Sequence, residues 1–157
     1  MVIRTKLQQD IYDALTKARI PFYYRETAQR GEEVALLVDL PDRSRANRFY
    51  PTFIVTCDDG TRVVLQQKGR FVTADRQKLR LLKQQHPTVE FRMIFSNSAQ
   101  RISSTSATKY SDWCERFGIA YCDGKPSQEW IEELQRRTVG QVQGWVTPPV
   151  TETVVQA

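Results

Sequence analysis

Two β-branched runs, 49–56 and 62–67, stand either side of Cys57-Asp58-Asp59-Gly60, and this pairing constrains the fold more than any other feature. Asp-Gly at the tip supplies a tight hairpin turn, while the flanking Val, Ile, Phe and Thr favour a pleated backbone. Further strands are expected at 22–24, 34–40, 90–95 and 119–122. Ile3, Leu7, Ile11, Leu15 and Ala18 recur at three- and four-residue spacing, which predicts a helix over 3–18. A second helix, capped by Thr73 or Asp75, runs to about Gln85 and stops at His86-Pro87. Two more are expected, over 109–117 before Gly118 and from Pro126-Ser127 to Arg137. The order α-β-β-β-β-α-β-α-β-α predicts an α/β (α+β) class, with a mixed central sheet flanked by helices.

The chain has 157 residues, enough for one domain with a proper core, and 40% hydrophobic against 26% charged residues suits a globular protein. We expect a domain over 1–137 and an extended or flexible tail over 138–157, where Gly140, Gly144, Pro148 and Pro149 interrupt a valine-rich stretch. That tail either adds a strand or meets another chain, and Trp145 within it either anchors a partner or docks on its own domain. No apolar run is long enough to span a bilayer and the N-terminus lacks the apolar core of a signal peptide, so no membrane contact and a cytoplasmic location are expected.

Net charge is +5, which favours a polyanionic partner. Cys57, Cys114 and Cys122 form an odd set without C-x-x-C spacing, which argues against zinc and for reduced thiols. The single histidine, His86, reads as a helix-end residue near the negative end of the dipole. Arg76, Arg80 and Lys83 stand at i, i+4 and i+7, so one stripe is expected on the second helix, with Lys68 and Arg70 close by. Arg43 and Arg45, with Arg48, either give a second nucleic-acid contact or keep a loop soluble.

Gln66 and Lys68 are two apart on a strand, so both heads reach the same side of the sheet. The strand continues into Gly69, and the hairpin's first strand is entered through Tyr50-Pro51-Thr52-Phe53. Downstream lie Asp75-Arg76, Lys83-Gln84-Gln85-His86-Pro87, Arg92-Met93-Ile94-Phe95-Ser96-Asn97-Ser98, Tyr110-Ser111-Asp112-Trp113-Cys114-Glu115, Gly118-Ile119 and Glu129-Trp130-Ile131. A weaker set runs through Leu7, Ile11, Leu15, Ile20 and Phe22. On these residues the chain resembles the bacteriophage endonuclease I family, dimeric Holliday-junction resolvases of the PD-(D/E)xK superfamily. The resemblance covers most of 7–133, with an enlarged segment at 27–48.

The resemblance implies a homodimer, strands possibly exchanged between subunits, acting on four-way DNA. It also implies where a metal site would lie. The family's first-helix Glu falls on Gln8, its Asp on Thr52, its strand Glu on Gln66 and its Lys on Lys68. Only Lys68 keeps its chemistry. Carboxylates hold magnesium in such sites, and a neutral amide or hydroxyl brings no charge to it. Asp39, Glu26, Asp58 and Asp59 are the acids nearest the strands, and they read as strand-end or turn residues.

The expected protein is therefore a structure-selective, branched-DNA-binding pseudo-nuclease, with no cofactor. Lys68, Arg70, Arg76, Arg80, Lys83, Arg43 and Arg45 are its expected DNA contacts. Two alternatives stay open. One is an active junction-resolving endonuclease using Mg2+ in an altered shell. The other is a phage-encoded inhibitor that binds a host protein through the tail and the 27–48 segment.

Overall fold

The computed structural model describes residues 2–41, 47–141 and 152–156. The hairpin is present, with β5 (Phe53–Thr56) antiparallel to β6 (Arg62–Lys68) in the register Phe53↔Leu65 to Thr56↔Arg62. Its turn is closed by Cys57 N–H to Thr61 O at 2.8 Å and Gly60 N–H to Cys57 O at 2.9 Å. Gly60 has φ +89°, a conformation that glycine adopts without steric cost.

Around this hairpin lies a five-stranded sheet in the order β2-β5-β6-β7-β8. The two-residue strand β2 (Tyr23–Tyr24) is antiparallel to β5, whereas β7 (Val89–Phe95) and β8 (Ala120–Asp123) continue parallel from β6. Parallel neighbours need crossovers, supplied by α2 (Thr73–Gln85) and α3 (Tyr110–Arg116). Alternation along the strands sends side chains to two cores. Phe53, Val63 and Leu65 pack with Ile11 and Leu15 of α1 (Lys6–Lys17) and with Ile131 and Leu134 of α4 (Gln128–Arg137). Ile54, Val64 and Met93 pack with Leu79, Leu82, Tyr110 and Trp113 on the other face. The class is mixed α/β, helices covering both faces of the sheet. Among the described residues no helix is long and apolar enough to cross a membrane.

Three elements depart from expectation. The first helix begins at Lys6, because Thr5 is extended and its hydroxyl accepts the Gln8 N–H at 3.1 Å; Val2–Thr5 before it is a strand, β1. The expected strand 49–56 is two strands. Pro51 has no N–H for a ladder, so Asn47–Phe49 (β4) pairs with Leu36–Val38 (β3) in a separate ribbon, and only Phe53 onward joins the central sheet. The cap of α2 is neither candidate alone. Val72 is the N-cap residue, and the Asp75 carboxylate reaches back to its N–H at 3.4 Å.

The β3–β4 ribbon is tied to the end of α2. Gln85 takes the Asp39 N–H at 2.8 Å and gives its own N–H to Asp39 O at 3.0 Å, while His86 Nε2 meets Leu37 O at 2.7 Å. The single histidine is thus a fastening of this ribbon.

The segment after α4 starts inside the fold. Thr138 is wholly buried and its hydroxyl donates to Leu134 O at 2.7 Å. Gly140 N–H and Gln141 Nε2 each donate to Asp58 at 2.9 Å. Gly140 and Gln141 are therefore fastened to the hairpin turn, while Val139, between them and Thr138, stays exposed. Glu152–Gln156 (β9) lies parallel to β1, and Trp145 falls outside the described residues.

Candidate nucleic-acid interface

Register and alternation build the site. Continuing the pairing of Phe53 with Leu65 by one residue sets Thr52 beside Gln66. Gln66 Oε1 accepts the Thr52 N–H at 3.2 Å, and Gln66 Nε2 donates to Thr52 Oγ1 at 3.4 Å. Both ends of one amide are thus spent on one neighbour. Lys68, two residues on, points to the same side. It lines a cavity of about 110 Å³ with Gln66, Phe49, Asp75, Lys78 and Met93. Its Nζ lies 3.3 Å from Asp75 Oδ1, with the two side chains 33% and 28% exposed. Solvent reaches this pair, so its attraction is screened and another anion can compete for Lys68.

Gln8 is seated on the opposite face. It is buried, and its Oε1 accepts the Tyr24 hydroxyl at 2.6 Å. The Tyr24 ring stacks on Phe53 at 4.7 Å. The structure therefore joins Thr52 to Gln66 directly, sets Gln66 and Lys68 on one cavity, and links Gln8 through Tyr24 to Phe53, the neighbour of Thr52. Tyr24 as the partner of Gln8 had no signal in the sequence, since only the strand pairing brings it there.

Of the expected basic stripe, Arg80 and Lys83 stay exposed and Arg76 does not. Arg76 is buried, its guanidinium donating to Phe71 O and, at 3.0 Å, to Thr73 Oγ1. Lys83 Nζ donates to Phe117 O at 2.8 Å and Gly118 O at 2.7 Å. Arg80 lies over the Phe117 ring, Cζ 5.4 Å from its centroid. The helical spacing holds, but the end of α3 occupies part of that face. Arg70 is exposed just beyond β6. Arg43 and Arg45 lie outside the described residues.

The nearby acids are engaged elsewhere. Asp58 receives Gly140 and Gln141, and Asp59 receives the Thr61 N–H at 2.9 Å, which holds its carboxyl below the usual range. Among the described residues no three or more His, Cys, Asp or Glu side chains gather as a metal site. A larger cleft of about 550 Å³ lies along β7 and α4. Arg92, Glu90 and Glu133 within it pair with one another, while Lys83 bonds carbonyls. Arg92 holds both oxygens of Glu133, at 2.8 and 2.7 Å, and Glu90 at 3.0 Å, beneath the Trp130 ring. That cleft is a structural joint between strand and helix. Sequence reasoning missed it, because its partners stand 41 residues apart.

The profile of a family described as Phage endonuclease I matches residues 3–143. The chain belongs to the phage endonuclease I family. Endonuclease I of Escherichia phage T7 is 35% identical over 74 residues, 47% of this chain and 50% of that protein. Endodeoxyribonuclease 1 of Enterobacteria phage T3 is 36% identical over 61 residues, 39% of this chain and 40% of that one. The matched stretches thus span half or less of these two relatives. A solved complex of EndoMS with double-stranded DNA aligns over 79% of this chain and 46% of its own, with 15% identity and a TM-score of 0.41. This phage endonuclease I family member carries Gln66 and Lys68 on one cavity and Thr52 bonded to Gln66, and two of those three side chains are neutral.

Proposed function

We propose that this chain binds branched DNA, four-way junctions above all, and does not cut it. The observation that carries this reading is the Thr52–Gln66 clamp beside Lys68. Two carboxylates at the clamp positions would repel each other and an incoming phosphate unless a cation sat between them. The amide and hydroxyl here satisfy each other and leave the Lys68 ammonium as the nearest site for phosphate. Gln8, the third neutral position, is spent on Tyr24. Lys68 and Arg70 supply the contacts at this end, and the net charge of +5 adds long-range attraction. As in the family it resembles, the binding unit is a homodimer, whose twofold axis suits the near-twofold symmetry of a junction. No metal takes part.

The test is a gel assay with a labelled four-way junction and a matched linear duplex, in EDTA, magnesium and manganese. A retarded junction band in all three, without nicks, is expected, and Lys68→Ala weakens it. Symmetric nicks that need a divalent ion and vanish in Lys68→Ala would show an active resolvase instead. A junction that stays unretarded throughout removes DNA from the reading and turns attention to a protein partner.

A further inference from the structure

The corner where α2 meets the end of α3 holds three cations around one ring. Arg80 Cζ is 5.4 Å and Arg116 Cζ 5.6 Å from the centroid of Phe117. Lys83 joins the two helices there, its Nζ bonded to the carbonyls of Phe117 and Gly118. Those carbonyls end α3 and have no partner within the helix, so Lys83 has a structural task. The two arginines have none of that kind. Both are exposed, and neither has a carboxylate partner among the described residues. Asp112, one turn before Arg116, is turned back to the Lys109 N–H at 2.9 Å. Beyond Asp75, α2 contains no acid at all.

Each guanidinium gains a contact with the ring, yet neither charge is neutralised by a carboxylate among the described residues. They are suited to an anion. The ring limits where both guanidiniums swing, and Lys83 fixes the helices that carry them, so little order remains to be imposed when an anion arrives. Guanidinium is also the side-chain group that matches phosphate with two parallel donors.

We propose that Arg80 and Arg116 form a second phosphate-binding clamp, which takes the backbone of a duplex arm outside the Lys68 cavity. This rests on the DNA-binding reading above and extends it to a separate surface. Asp75, Lys78 and Leu82 of α2 face the Lys68 cavity, whereas Arg80 and Lys83 face α3. Lys68 pairs with Phe95 at the end of β7, while Arg116 and Phe117 precede β8, whose Ala120 pairs with Arg92, so the clamp lies towards the other end of the strands from Lys68.

The experiment measures the affinity of the full chain for a four-way junction at a series of salt concentrations. Wild type is compared with Arg80→Gln/Arg116→Gln and with Lys68→Ala. Each phosphate contact adds about 0.9 to the slope of log affinity against log salt. The double variant is expected to lower that slope by about 1–2 and to weaken binding at least tenfold near physiological salt. Its thermal unfolding midpoint should match wild type, which separates lost contacts from lost fold. If the junction binds wild type and the double variant with the same slope, the clamp is wrong and the Lys68 site stands. If wild type itself binds no junction while Lys68→Ala is equally inert, both readings fall together.

Discussion

Gln66 and Thr52 satisfy each other at 3.2 and 3.4 Å, and neither carries a charge. Restoring acids should reverse that. The double variant Thr52→Asp/Gln66→Glu is expected to gain magnesium-dependent nicking of a four-way junction, read on a denaturing gel, and to bind it more weakly in EDTA than wild type. Arg92 makes the opposite case, a buried charge whose removal harms the fold. Arg92→Met should cost about 2–3 kcal/mol in urea unfolding, below the ~3–5 kcal/mol of a fully enclosed pair, because Glu90 and Glu133 are partly solvated and keep Arg137. The same arginines hold both glutamates below their usual carboxylate range, with the Arg137 hydrogen bond the largest cause at Glu90 and the Arg92 bond at Glu133. Carboxylates lowered by folding stabilise the native state above the ordinary value of 4.5 and lose that contribution as pH falls through their folded values. Urea midpoints should therefore drop between pH 5 and pH 3 in wild type, and drop less in Arg92→Met.

At the scale of elements, the strongest periodic signals translated directly. The β5–β6 hairpin, α2, β7, α3 and α4 stand within a few residues of their expected places, since alternation and caps are local properties. The failures came from neighbours. Ile3 fits the apolar spacing of α1, yet Thr5 caps that helix and sends Val2–Thr5 into a strand. The run through Tyr50-Pro51 reads as continuous β, yet its halves pair with different sheets. Arg76 reads as a surface cation because spacing reports which residues share a face, and says nothing of what covers it. Gln66 and Lys68 share a cavity as their two-residue spacing implied, while the position of Gln8 depends on Tyr24 and was hidden. Gly118 tests the α2–α3 joint. Its φ is +67°, and an added Cβ would meet Lys83 Nζ at 2.9 Å. Gly118→Ala should cost about 1–2 kcal/mol from the left-handed backbone. Adding Lys83→Met should cost less than the sum of the two single changes, because the ammonium is what the methyl strikes.

For the whole molecule, the three thiols report on global order. Burial raises all three pKa values, Cys114 to about 12 and Cys122 to about 11. The folded chain at pH 8 should label slowly with an aromatic disulfide reagent, and three thiols per chain should appear at once in guanidinium. Rapid labelling of one thiol without denaturant would indicate a local opening near that cysteine. The brace from Gly140 and Gln141 onto Asp58 has a consequence for synthesis. These contacts join residues 82 and 83 positions apart. A ribosome delivers the hairpin before its fastening, so every strand of the central sheet is outside the exit tunnel before Gly140 and Gln141 reach Asp58. A nascent chain stalled soon after Arg137 emerges should be cut readily by protease at that turn, and one stalled after Gln141 emerges should resist.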